Sequence, residues 1–391
     1  MRELSPPVNG PVAAVVAPQA PKKARSARDP RLDVLRGAAL VTIFVNHVPG
    51  NFYESLTIRN WGFSDAAEAF VLMSGVSAGL AYGPAFRPGG EVWSGLARAW
   101  GRAWTLYLVH LLVTLAVLGI AAGLALWFHT PGLLHMNGVD VLLGHPLQTL
   151  VALPLLLHQL GYINILPLYF VLLLAAPGLL WLGWRWPGLL MTASGMLWLV
   201  AGTFRLNVPT WPASGGWQFS PLSWQILFVL GLLTGIRLRE GRRLVPINAW
   251  LIGITSAFLA MALVWRIVPA VGGPLNHGLM WLDEAGLPWT VTAFHKVWET
   301  APRLFHALAL AYLLSAIPAV RRACASVWLS PLALLGRQAL PAFALGSVLA
   351  MLLQGIKTRT GEDLLLDSLM LAGGLSLQFA LAWAKDRWPG R

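Results

Sequence analysis

Residues 31–51 read RLDVLRGAALVTIFVNHVPGN. The run from Gly37 to Val45 is apolar enough to enter a bilayer, yet Asp33, Arg36 and His47 sit beside it or within the same helical stretch. Charged groups in a span cost roughly 2.5–3.5 kcal/mol each on insertion scales, so they usually mark function. At 100° per residue, His47 returns to within about 20° of Arg36 and stands about 16 Å further along the helix; Asp33 lies within about 60° of Arg36. One face therefore carries an acid and a base near one end and an imidazole near the other. Gly37 lets a second backbone approach beside Arg36. Helix-end decoration is the competing account of Asp33 and Arg36: a favourable dipole contact for the acid, snorkelling for the arginine.

The rest of the chain shows that this stretch is one span of many. Its 391 residues are 57% hydrophobic and only 11% charged, with a mean hydropathy of +0.64. Soluble chains carry about 25% charged residues. The expectation is an all-α, polytopic transmembrane helical bundle. The formal charge of +12 would suggest nucleic acid in a soluble protein. Here the basic residues lie between apolar runs, where they orient spans, so the partner is membrane lipid and not nucleic acid. Cys324 is the only cysteine, which excludes an internal disulfide and a Cys-based metal site.

A span needs about 20 mostly apolar residues. Ten segments qualify, near 33–49, 65–83, 103–128, 163–183, 187–204, 222–237, 246–268, 303–320, 329–353 and 363–385. Residues 1–30, rich in Pro, Ala, Lys and Arg, read as a disordered cytoplasmic tail. Most basic residues, from Lys22 through Arg237–Arg243 to Arg321 and Arg322, then fall on one side; Arg59, Lys296, Lys357 and Arg359 fall on the other. That asymmetry places both termini in the cytoplasm. The connections 129–162, 205–221 and 269–302 are long, aromatic and poor in charge. Irregular backbone cannot face lipid, so these loops must pack together or line a wet cavity, with a sugar-binding platform as one use. No internal repeat is evident, which weighs against a secondary transporter.

Further polar residues follow. Asp65 and Glu68 open the second span in FSDAAEAF and form a capping-box pattern. The connection from Val48 to Ser64 is short, so Asp65 should start near the end of the first span, beside His47. A carboxylate there would orient the ring and make it a better base. Arg98 and Arg102 are i, i+4 before the third span, followed by His110; paired arginines could hold donor phosphates or merely anchor the helix. Arg303 and His306 open the eighth span. No residues have metal-ligand spacing, and no phosphate loop is present.

The blocks RLDVLRGAALVTIFVNHVPGN, TIRNWGFSDAAEAFVLMSGVSAGLAYG and RAWTLYLVH resemble the N-terminal signature of the OpgC-type integral membrane proteins, relatives of the acyltransferase-3 group. PRLFHALALAYLL and LLGRQALPAFALGSVLA fit later in the chain, so the resemblance covers nearly all of residues 31–391. It implies a membrane-bound O-acyltransferase of the bacterial inner membrane, moving an acyl group such as succinyl from acyl-CoA to a hydroxyl of a periplasmic glucan or other glycan. It implies no bound cofactor; acyl-CoA is a substrate. By position, His47 is the implied catalytic histidine, with Asp65 and Glu68 in support. Asp33, Arg36, Arg98, Arg102, His110, Arg303 and His306 are the candidates for binding donor or acceptor. Asn46 departs from the pattern, since many members carry an acid before the histidine; Asp65 or Glu68 must then tune the ring. A proton- or solute-coupled transporter using the same polar helix face is the rival account, and a membrane sensor or scaffold a third.

Overall fold

The computed structural model describes residues 29–129, 132–361 and 363–388. All but the last two residues of the expected tail, 1–30, lie outside them. The described residues are helical, with one isolated bridge between Pro209 and Gly216 and no named strand. In chain order the helices are α1 Pro30–Asn46, α2 Ala66–Phe86, α3 Val92–Phe128, α4 Gly132–Met136, α5 Asp140–Gly144 and α6 Pro146–Ala152. Then come α7 Ile165–Arg185, α8 Pro187–Thr203, α9 Pro221–Arg239, α10 Ala249–Ile267, α11 Pro269–Glu284 and α12 Trp289–Thr292. The last are α13 Ala301–Ala316, α14 Pro318–Cys324, α15 Ser330–Arg337, α16 Ala339–Thr360 and α17 Leu364–Arg387. Proline sits at the first turn of α1, α8, α9, α11 and α13, where its missing N–H costs nothing.

Eight of the ten expected segments each fall on one helix; the eighth runs from α13 into α14, and the ninth covers α15 and part of α16. Seven described helices are long and apolar enough to cross a membrane, and eight if α13 and α14, bent by 79°, count as one span. Two expectations change. The ninth segment, 329–353, breaks at Gln338 into α15 and α16, because α15 lies along α1 while α16 turns away to pack on α3 and α17. The connection 269–302 contains α11 and α12 instead of being irregular throughout; a helix satisfies its own backbone where water is scarce.

Two close helix contacts organise the bundle. Gly75 and Gly79 of α2 face Gly231 and Gly235 of α9, a small-xxx-small pair on each helix. A Cβ on Gly75 would strike the Phe228 carbonyl, and one on Gly231 the Leu72 carbonyl. The second contact is the one expected at Gly37: its partner is α15, where Gly336 lies against the Asp33 carbonyl and Gly37 against that of Leu332. Around the α2–α9 contact, Trp224, Phe228, Leu227 and Leu232 are fully buried. Apolar burial supplies little drive between helices in lipid, so backbone proximity must supply much of it. Gly231→Leu is expected to force α2 and α9 apart at a cost of about 1–3 kcal/mol. A lowered melting temperature of the purified protein, set against an unchanged one for the exposed Gly253→Leu, checks this.

Candidate functional site

The end of α1 is held from several directions. The His47 carbonyl accepts from Gln354 Nε2 at 2.6 Å, and Gln354 Oε1 accepts from Asn137 Nδ2 at 3.1 Å. The next residues turn on Asn51, whose Nδ2 donates to the carbonyls of Val45 and Val48. Thr57 Oγ1 donates to Asn46 Oδ1 at 2.8 Å, so Asn46 ties the connection to the helix instead of acting as an acid. The His47 ring lies 4.7 Å from the Tyr162 ring and 6.4 Å, edge-on, from that of Phe343.

The ring borders a cavity of about 290 Å³. Asn46, Asp65, Arg59, Tyr162, Gln218 and Lys296 are among the residues that share it. The three long connections expected to pack together or line a wet cavity each supply a wall residue: Tyr162, Gln218 and Lys296. In the sequence, Lys296 and Arg59 read only as charges that orient spans, and no local pattern marks Tyr162 or Gln218. Their one signal was the length and low charge of the connections that carry them.

Asp65 starts α2 as expected, and the capping box is complete: Asp65 Oδ1 accepts from Ala67 N, and Glu68 Oε2 accepts from Asp65 N. The same acids also reach across the bundle. Lys296 Nζ donates to Asp65 Oδ2 at 2.6 Å, and Arg303 Nη2 pairs with Glu68 Oε1. Asp65 therefore faces the His47 cavity as half of an ion pair, and its field and that of Lys296 both act on the ring. Glu68 is fully buried and points at Arg303. The connection before α13 is stapled in place: the carbonyls of Lys296 and Glu299 accept from the indoles of Trp224 and Trp198. Glu299, also fully buried, stands 3.8 Å from Arg303 Nε. Burial and the nearby Glu68 push its carboxyl well above the usual range, against the pull of Arg303.

The remaining candidates are dispersed. Arg36 does not snorkel: Nη2 donates to Met73 O at 3.1 Å and Ser77 Oγ at 2.6 Å, on α2. Asp33 is buried where α1 meets α15. Arg98 and Arg102 are exposed in the first three turns of α3, outside the His47 cavity. His110 is buried on α3, outside the His47 cavity. His306 Nδ1 shares a hydrogen bond with Ser64 Oγ at 2.7 Å, and its ring fills the space beside Gly62. Only Arg303 joins the Asp65–Glu68 cluster directly. Among the described residues no three His, Cys, Asp or Glu side chains are placed to hold a metal ion.

The model of the family described as OpgC protein matches residues 28–390. The chain belongs to the OpgC family. Membership points to a multi-pass membrane acyltransferase. No curated protein and no solved structure matches the chain.

The ionic cluster makes a prediction of its own. Removing one partner of a buried pair costs about 3–5 kcal/mol, while removing both is far cheaper. Arg303→Met is expected to lower the thermal stability of this OpgC protein sharply. Adding Glu68→Gln to Arg303→Met should restore much of it, measured by melting of the purified variants.

Proposed function

We propose that this OpgC protein transfers an acyl group from acyl-CoA to a glucan hydroxyl at the His47 cavity. The observation that carries the reading is the meeting of the first-helix histidine with Asp65, Lys296 and Arg59 around one polar cavity, built from connections at a single end of the bundle. By the charge asymmetry, that end faces the periplasm. The exposed Arg98 and Arg102 belong to the first turns of α3, and in this reading they meet the phosphates of a cytoplasmic donor.

In the proposed step, a glucan hydroxyl enters beside Tyr162 and Gln218. The His47 imidazole takes its proton as the hydroxyl oxygen bonds to the thioester carbonyl carbon. Negative charge then develops on the former carbonyl oxygen, and Lys296 supplies the nearby cation to stabilise it. Asp65 holds Lys296 in position and balances the imidazolium. The carbon–sulfur bond breaks next, and the departing CoA thiolate takes the proton from His47. The products are an acylated glucan and free CoA. A transient acyl-imidazole on His47 is the stepwise version of the same chemistry, and it would leave label on the protein.

Loss of the base is expected to lower transfer by about 10²–10⁴-fold. Mass spectrometry of periplasmic glucans should therefore show acyl substituents in cells carrying the wild-type chain. They should be missing in cells without it and in cells with His47→Ala at equal membrane levels. Unchanged substitution with His47→Ala would exclude this role for the histidine.

A further inference from the structure

A second cavity, of about 850 Å³, lies apart from the His47 site. It is a groove between two walls. One wall is formed by α1, α2 and α9, through Leu35, Val76 and Leu230; the other by α10 and α13, through Phe258 and Leu308. The second wall is a peripheral unit, since α10 packs on α13 and α11 and Ala262 is its one fully buried residue. The groove runs beside α13 from Ala301 to Ser315, a rise of about 21 Å. That exceeds one leaflet, given a hydrocarbon core about 30 Å thick.

The two ends differ in chemistry. Towards the His47 end, the groove stops at an aromatic cluster: the Phe63 ring lies 4.7 Å from Phe294 and 5.4 Å from Trp265. At the other end, two arginines converge on one residue. Arg31 Nη1 donates to Ser315 O; Arg243 donates to the same carbonyl at 3.2 Å and to Ser315 Oγ at 2.8 Å. Asp29 pairs with Arg31, and the charge of Arg321 also reaches Asp29. Three guanidiniums thus stand against one carboxylate, and Arg243 is exposed. Along the walls, the hydroxyls of Thr234 and Thr255 turn back to carbonyls of their own helices, so they offer nothing to a polar guest.

We infer that this groove is a binding site for an anionic phospholipid from the leaflet on the arginine-rich side. Its phosphate sits at the exposed Arg243, with Arg31 held behind it by Asp29 and the Ser315 carbonyl, and an acyl chain runs along Leu35, Leu230 and Leu308 to the Phe63 cluster. A long apolar groove closed by aromatic rings and opened by arginines has the polarity of one amphiphile with one anionic head. Polybasic groups at a membrane surface favour anionic lipid, each by roughly fivefold. The site shares no residue with the His47 cavity, so it stands or falls independently of the acyl-transfer reading.

The test uses the full chain, reconstituted in nanodiscs of equal phosphatidylglycerol and phosphatidylcholine, then released into mild detergent for native mass spectrometry. Wild-type protein should retain phosphatidylglycerol in preference to phosphatidylcholine. Arg243→Gln removes the exposed guanidinium together with its bonds to Ser315; at an unchanged melting temperature it should lower that preference about fivefold. Leu308→Trp, which fills the groove, should abolish retention of either lipid. Two results would overturn the inference: retention without head-group preference, or equal retention by Leu308→Trp and wild type.

Discussion

The buried ionic cluster at the start of α2 is the constraint on which the site depends. Asp65 and Glu68 cap their own helix, and the same two carboxylates hold Lys296 and Arg303 from the far end of the chain. In water such pairs would contribute little. Inside the bundle each charge would be expensive alone, so the partners must stay together. The consequence is geometric. Fixing Asp65 to Lys296 draws the connection before α13 over the end of α1, and Trp224 and Trp198 clamp that connection from α9 and α8. His47, held from below by Gln354, then has a formed cavity above it instead of an open helix end.

Much of this fold is legible in the sequence, because bilayer thickness and backbone hydrogen bonding leave few choices for a run of about 20 apolar residues. Gly75 and Gly79 in the second span are small residues compatible with a close helix contact, as is Gly37 in the first. Neither names its partner, since α9 and α15 are chosen by matching glycines far along the chain. The break at Gln338 leaves only a partial mark. Residues 329–353 are mostly apolar, with Arg337 and Gln338 at the break and Pro341 just beyond it, while the need for Gly336 to meet α1 is a tertiary constraint that no local pattern shows.

The site divides in the same way. His47 and Asp65 are legible together because a short connection joins their helices and the second carries a capping pattern. Lys296 is 231 residues from Asp65, and Arg303 is 235 from Glu68, so no local pattern links them. Glu68 satisfies the capping box and the long-range ion pair at once, and sequence reasoning found only the first. Arg36 shows the limit of helical-wheel geometry. It shares a face with His47, yet its guanidinium is spent on Met73 and Ser77 and takes no part in the cavity.

The central claim is that one cavity at the His47 end receives the acyl group on a hydroxyl supplied from that side. Sealed vesicles of known orientation test it most directly. Labelled acyl-CoA is placed on the side of Arg98 and Arg102, and glucan only on the side of His47. The account predicts labelled glucan with the wild-type chain and none with His47→Ala. Labelled glucan formed only when both substrates share the arginine-rich side would contradict it.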